Sequence, residues 1–150
     1  MPSTQEENKA LAERFVDHVF NAGDRDVYDQ LVADGYVNHN PPVPAVPGTK
    51  EGFWQVVTAT RAAFPDVRVV PEDMLAEGDR VMFRDTVSAT HLGAFQGIDA
   101  TGRRLFWTEM HFFRVSDGRI VEHWANFDQL KILMEIRGLP GTVADAEVGA

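Results

Sequence analysis

The pair Asp117-Gly118 constrains this chain more than any other two residues. It separates two long apolar runs, "RLFWTEMHFFRVS" before it and "RIVEHWANF" after it. Asp-Gly is what a two-residue hairpin turn selects, because both central residues of that turn need positive φ. The two runs therefore form adjacent antiparallel strands, with side chains alternating between faces. On residues 103–115 one face carries Leu105, Trp107, Glu109, His111 and Phe113, and the other carries Phe106, Thr108, Met110 and Phe112. Both faces are largely apolar, so both need a cover: helices on one side, a second copy of the chain on the other. Glu109 and His111 interrupt the first face, where an ionisable group must be paired, neutral or open to a solvated pocket. On residues 119–127, Val121, His123, Ala125 and Phe127 share a face, and the turn sets His123 opposite His111 or Glu109.

The strand 81–91 extends the pattern. Val81, Phe83, Asp85, Val87, Ala89 and His91 form an apolar face, and Met82, Arg84, Thr86, Ser88 and Thr90 a more polar one. Asp85 thus stands on the wrong side for a solvated aspartate. "VRVVPEDMLAEGD" leads into this strand through a turn at Gly78-Asp79. Upstream, Leu11, Phe15 and Val19, with Ala12 and Val16, mark the buried face of a first helix that stops at Gly23. Val27, Tyr28, Leu31 and Val32 share a face of a second. Thr49 caps a third, whose apolar face is Phe53, Val56, Val57, Thr60 and Phe64. Between the second and third helices, Tyr36 and Val37 make a short strand, and four prolines from Pro41 to Pro47 make a stiff loop. Asp128 caps a last short helix. Three helices followed by a run of antiparallel strands define an α+β fold, in which a curved sheet and its helices enclose a pocket.

At 150 residues the chain has the size of one domain, with a core over about 4–138 and a flexible tail at 140–150. A net charge of −9 without any Lys/Arg cluster argues against a nucleic-acid partner and against an anionic membrane surface. No apolar run approaches bilayer length, and the start "MPSTQEENKALAE" lacks the features of a secretory signal. The absence of cysteine excludes disulfide and thiolate chemistry and fits the cytoplasm.

Asp85, Glu109, His111 and His123 are therefore expected to converge on one cavity. A carboxylate beside an imidazole in apolar surroundings is the equipment of general acid–base catalysis, and equally of a buried polar cluster without turnover. His91, at a strand end, reads as structural, and His18 as a surface residue. His39 in "NHNPP" reads as a loop hydrogen-bonder that could also face the pocket. The histidines are numerous enough for a metal, but no HxH or HExxH spacing exists, and Glu109–His111 is the only tight pair. No metal or nucleotide cofactor is expected; GxSxG, GxGxxG and phosphate-loop motifs are missing.

The segments "NHNPP", "AAFPDVRV", "EGDRV", "THLGAFQGIDATGRR" and "FRVSDGRIVEHWANFD" together resemble the SnoaL-like polyketide cyclase, or ester cyclase, group of the nuclear transport factor 2-like superfamily, over residues 8 to 138. The resemblance implies a cone-shaped barrel: a curved, mostly antiparallel sheet with N-terminal helices closing a deep pocket. It implies homodimers or higher homo-oligomers packed through the outer sheet face. It also implies cofactor-free, metal-free aldol cyclisation by an acid–base aspartate. By position, Asn38, His111 and His123 match pocket residues, Glu109 stands where the cyclases have a glutamine, and Phe20 and Val56 fall at pocket-lining positions. The cyclases' aspartate lies two residues after the last-strand histidine, and here that position is Ala125. The expected function is acid–base chemistry, cyclisation or isomerisation, on a hydrophobic carbonyl compound. Glu109 and His111 form its centre and Asp85 is a second carboxylate. His123 and Asn38 bind an oxyanion, His39 binds substrate, and Trp107, Phe113 and Phe53 supply the apolar wall. The alternatives are a non-catalytic binding protein of the same fold and an epoxide or ester hydrolase.

Overall fold

The computed structural model describes residues 4–139, so the tail expected at 140–150 lies outside the described residues. The elements run α1 (Thr4–Phe15), a π-helical turn (Val16–Phe20), α2 (Arg25–Leu31), β1 (Val32–Asn38), α3 (Lys50–Ala63), β2 (Arg68–Glu77), β3 (Arg80–Thr90), β4 (Arg104–Ser116), β5 (Arg119–Phe127) and α4 (Gln129–Arg137). Local chemistry sets their ends. Asp24 accepts the Val27 N–H at 3.0 Å, Thr49 the Gly52 N–H at 3.2 Å, and Asp128 the Lys131 N–H at 3.1 Å, each satisfying a free donor of a first helical turn. Gly138, at φ +62°, closes α4.

The strands form one curled sheet in the order β1-β5-β4-β3-β2. Its edges, β1 and β2, do not pair, so the cone is open rather than a closed barrel. All neighbours are antiparallel except β1, which runs parallel to β5. β1 is longer than the sequence reading allowed: it begins at Val32, which that reading put on a helical face. Val32 is β-branched and lies fully buried, paired with Ile120.

Asp117 (φ +50°) and Gly118 (φ +69°) make the turn as expected. A bulge follows it at once. Ser116 pairs with Arg119 and Val115 with Ile120, but Arg114 pairs with Glu122. One residue is added to β5, so Ile120 rather than Val121 is buried on the face that carries His123. The bulge also corrects the expected register. His123 stands opposite Phe113, and His111 opposite Ala125.

The concave face of the sheet carries Val81, Phe83, Val87, Leu105, Trp107, Phe113 and Ile120, and it packs on Phe15, Val16 and Val19 of the first helical segment, Tyr28 of α2, and Phe53 and Val57 of α3. Asn21 ties helix to sheet: its amide donates to Val69 O at 2.9 Å and accepts the Val69 N–H at 2.7 Å. The convex face stays open. Phe106 and Met110 are 56% and 52% exposed, so nothing within the described chain covers this face of β4.

Candidate active site

β3 and β4 place Asp85 directly opposite Glu109, both on the concave face. His111 follows Glu109 by two residues on that face, and His123 of β5 reaches it diagonally across the shifted register. The four expected catalytic residues thus meet. Glu109 Oε2 lies 3.0 Å from His111 Nε2, and His111 Nδ1 lies 3.0 Å from His123 Nε2. His123 Nδ1 lies 2.7 Å from the Tyr36 hydroxyl. The other Glu109 oxygen accepts the Trp107 indole N–H at 2.6 Å. Asp85 Oδ2 is 3.8 Å from His111 Nε2, and neither Asp85 oxygen has a hydrogen-bond partner.

With His111 neutral, the protons in this chain have one consistent arrangement. A carboxylate only accepts, so His111 carries its hydrogen on Nε2 and donates to Glu109. His111 Nδ1 then accepts from His123 Nε2–H, and His123 Nδ1 accepts from Tyr36 O–H. A proton added to His111 reverses the two outer bonds: His111 Nδ1–H donates to His123 Nε2, and His123 Nδ1–H donates to the Tyr36 oxygen. The chain therefore takes up or gives back a proton without moving a heavy atom.

Electrostatics polarise it. Burial works against a charged His111, but the hydrogen bond and charge of Glu109, with Asp85 behind, prevail and raise its pKa. Burial, then the charge on His111, hold His123 well below the usual imidazole range, so His123 stays neutral. Burial pushes the Asp85 carboxyl up to about 7; the Glu109 charge adds to that and the His111 charge opposes it. Burial likewise raises Tyr36 and keeps it a phenol. No arginine pairs with Glu109 among the described residues; Arg84, one residue before Asp85, pairs with Asp73 at 2.6 Å instead.

Glu109, His111 and His123 open onto a cavity of about 360 Å³, within the range of small-molecule sites. Its wall is largely apolar: Phe20, Phe53, Val56, Trp107, the proline-loop residues Pro42, Val43 and Val46, and Phe95 of the 91–103 loop. Arg61 also lies on the wall and donates from Nη1 to the carbonyls of Phe20 (2.8 Å) and Asn21 (2.9 Å). Asn38 also faces the cavity. Its side-chain oxygen accepts the Asn40 N–H at 3.2 Å, which leaves the amide NH₂ to donate inward. Asn38, Phe20, Phe53, Val56 and Trp107 therefore stand where the sequence put them.

Three expected site residues do not line the cavity. Asp85 and Phe113 are fully buried behind the wall, Phe113 with its ring 4.8 Å from that of His123. His39 lies outside: its ring stacks on Trp124 at 4.4 Å and bonds Glu122 at 3.0 Å. The reason is alternation. Asn38 faces inward, so the next residue faces out. His91 is buried, with Nδ1 3.0 Å from the Thr101 hydroxyl, and His18 is exposed, as expected of a structural and a surface histidine. Tyr36 is the residue sequence reasoning missed. It lies two positions before Asn38, so the same alternation already placed it on the inner face. Ala125 does sit on the cavity wall, and its backbone N–H and C=O are both held by the Asn40 side chain.

An open α+β cone with helices over its concave face, and polar side chains at the floor of an apolar cavity, define a small-molecule site of the nuclear transport factor 2-like class. The SnoaL-like polyketide cyclase family matches residues 10–136, and the chain belongs to that family. It is 29% identical over 125 residues to the aklanonic acid methyl ester cyclase DauD of Streptomyces sp. (strain C5), covering 78% of this chain and 74% of that one. It is 28% identical over 111 residues to the nogalonic acid methyl ester cyclase of Streptomyces nogalater, covering 72% and 83%. Among solved structures, IdmH of Streptomyces antibioticus superposes with a TM-score of 0.75 at 33% identity, covering 86% of this chain and 97% of that one.

Proposed function

We propose that this protein catalyses intramolecular aldol-type ring closure of a hydrophobic polyketide-like ester, with Glu109 as the base. The observation that carries the reading is the Tyr36–His123–His111–Glu109 chain ending in an otherwise apolar cavity. Glu109 takes the proton from a carbon flanked by carbonyls, and His111 holds it in place and spreads its charge. The Asn38 amide binds the enolate oxygen; His123, whose ring nitrogens are held by His111 and Tyr36, does not take the oxyanion role expected of it, and the proton returns to the new alkoxide. The bond formed is carbon–carbon, and no atom is gained or lost. The names of the two Streptomyces relatives point to the same class. Ala125 is accommodated because Glu109 brings the carboxylate from β4 instead of β5.

In this reading the protein works as a homodimer in the cytoplasm, a compartment that suits a cysteine-free chain. Support for the dimer comes from the exposed stripe Phe106, Met110 and Met82 on the convex face, which a second copy would cover. The test is incubation with aklanonic acid methyl ester. Wild-type protein converts it to a product of equal mass with no oxygen from labelled water, and Glu109→Gln does not. Conversion by Glu109→Gln at the wild-type rate overturns the assignment, and label in the product replaces cyclisation with hydrolysis.

A further inference from the structure

We propose that Asp85, Glu109 and His111 together form a binding site for one divalent transition-metal ion. The starting point is Asp85. It is fully buried, faces the concave side, and neither of its oxygens is hydrogen-bonded. A buried carboxyl in that state is costly. Protonation removes its charge but not the problem. The new O–H has no acceptor, because His111 Nε2 is 3.8 Å away and already donates to Glu109. A cation satisfies the carboxylate directly.

The donors lie close enough to converge on one ion with a small shift of the Asp85 carboxylate. One atom from each of the three residues lies within 4.8 Å of the others. His111 Nε2 is 3.0 Å from Glu109 Oε2 and 3.8 Å from Asp85 Oδ2. Ligand bonds of about 2.1 Å place neighbouring donors roughly 3 Å apart in octahedral and about 3.4 Å apart in tetrahedral sites. Two carboxylates and a neutral imidazole balance a charge of +2. The mixed oxygen and nitrogen set suits Zn²⁺, Mn²⁺, Fe²⁺ or Co²⁺, and not a soft monovalent ion. Because Glu109 and His111 border the cavity, a bound ion keeps positions open on that side.

The surrounding shell supports the same conclusion. Metal-binding histidines and carboxylates are usually held by outer hydrogen bonds that fix their orientation. Here His111 Nδ1–H meets His123 Nε2, and His123 Nδ1–H meets the Tyr36 oxygen, the second of the two proton arrangements described above. Trp107 fixes the free oxygen of Glu109. The ion takes the place of the proton that His111 otherwise shares with Glu109. Sequence spacing gave no hint of the site, because metal motifs are read along one helix or loop, and these donors come together from facing strands.

The experiment is calorimetric titration of chelator-treated protein with Zn²⁺, without substrate. The wild type binds one equivalent with a micromolar or lower Kd, Asp85→Asn weakens binding at least tenfold, and His39→Ala leaves it unchanged. Binding that is absent in the wild type, or equal in Asp85→Asn, overturns the proposal. If Asp85→Asn does not fold, wild-type NMR with Co²⁺ decides instead. Paramagnetic shifts of the His111 ring uphold the site, and shifts confined to His18 or His39 overturn it. The ion occupies the carboxylate and imidazole that the acid–base reading uses, so the ion-loaded form is not the one that cyclises; because no substrate is present, failure here leaves that reading standing.

Discussion

Replacing Asp85 with asparagine should shift the balance of stability toward the mutant as pH rises. The Asp85 carboxyl rises from 3.8 to about 7 on folding. Between those values the folded state holds a proton that the unfolded chain has released. The group's contribution is therefore fully favourable below pH 3.8, declines as pH rises, and levels off above pH 7. A shift of about three units at 1.36 kcal/mol each makes the full loss about 4 kcal/mol, of which about 3 kcal/mol falls between pH 5 and pH 8. Asparagine does not titrate and escapes the loss. Whatever fixed cost its unpaired amide carries, the difference between mutant and wild type should move by about 3 kcal/mol in the mutant's favour over that interval. Urea denaturation of both proteins at pH 5, 6, 7 and 8 measures it. A difference that stays flat across the series means that Asp85 is not held neutral by its surroundings, and the electrostatic account of the site fails.

Three further outcomes follow from the same geometry. In Glu109→Gln, adding Ala125→Asp should restore activity at least tenfold over the single variant, because residue 125 stands opposite His111 on the cavity wall; steady-state turnover of the pair checks it. Trp107→Phe removes the donor to Glu109 Oε1 and frees the carboxylate to turn away from the reacting carbon, so kcat should fall about tenfold with KM little changed. Phe106→Asp with Met110→Lys places charges on the convex stripe and, on the proposed dimer, should give a monomer where the wild type scatters light as a dimer, with turnover per chain measured alongside.

Much of this was legible in the residues. Period-two alternation assigned Glu109, His111 and Asp85 to one face, and the Asp117-Gly118 turn fixed which strands pair. Caps at Thr49 and Asp128 marked two helices correctly. What the residues did not show was register. A single added residue after the turn decides that His123 faces Phe113 and that Ile120, not Val121, is buried, and nothing in "DGRIVEHW" announces it. The inward face of β1 was missed because Asn38 was noted without its neighbour two positions back. His39 was expected in the pocket on its proximity to Asn38 in sequence, although adjacent strand residues point to opposite faces. The indole bond from Trp107 to Glu109 was invisible for a different reason: an aromatic on an apolar face reads as wall, and its one polar atom matters only once a rotamer is fixed.

The central claim is that Glu109 moves a proton on and off carbon. The measurement that tests it most directly is hydrogen–deuterium exchange into aklanonic acid methyl ester at the carbon flanked by carbonyls, followed by NMR in deuterated buffer. Wild-type protein should accelerate exchange at that position, and Glu109→Gln should exchange at the buffer rate while still binding the ester. Acceleration that survives in Glu109→Gln, or its absence in the wild type despite binding, would contradict the account and leave the cavity a place where a ligand is held but not changed.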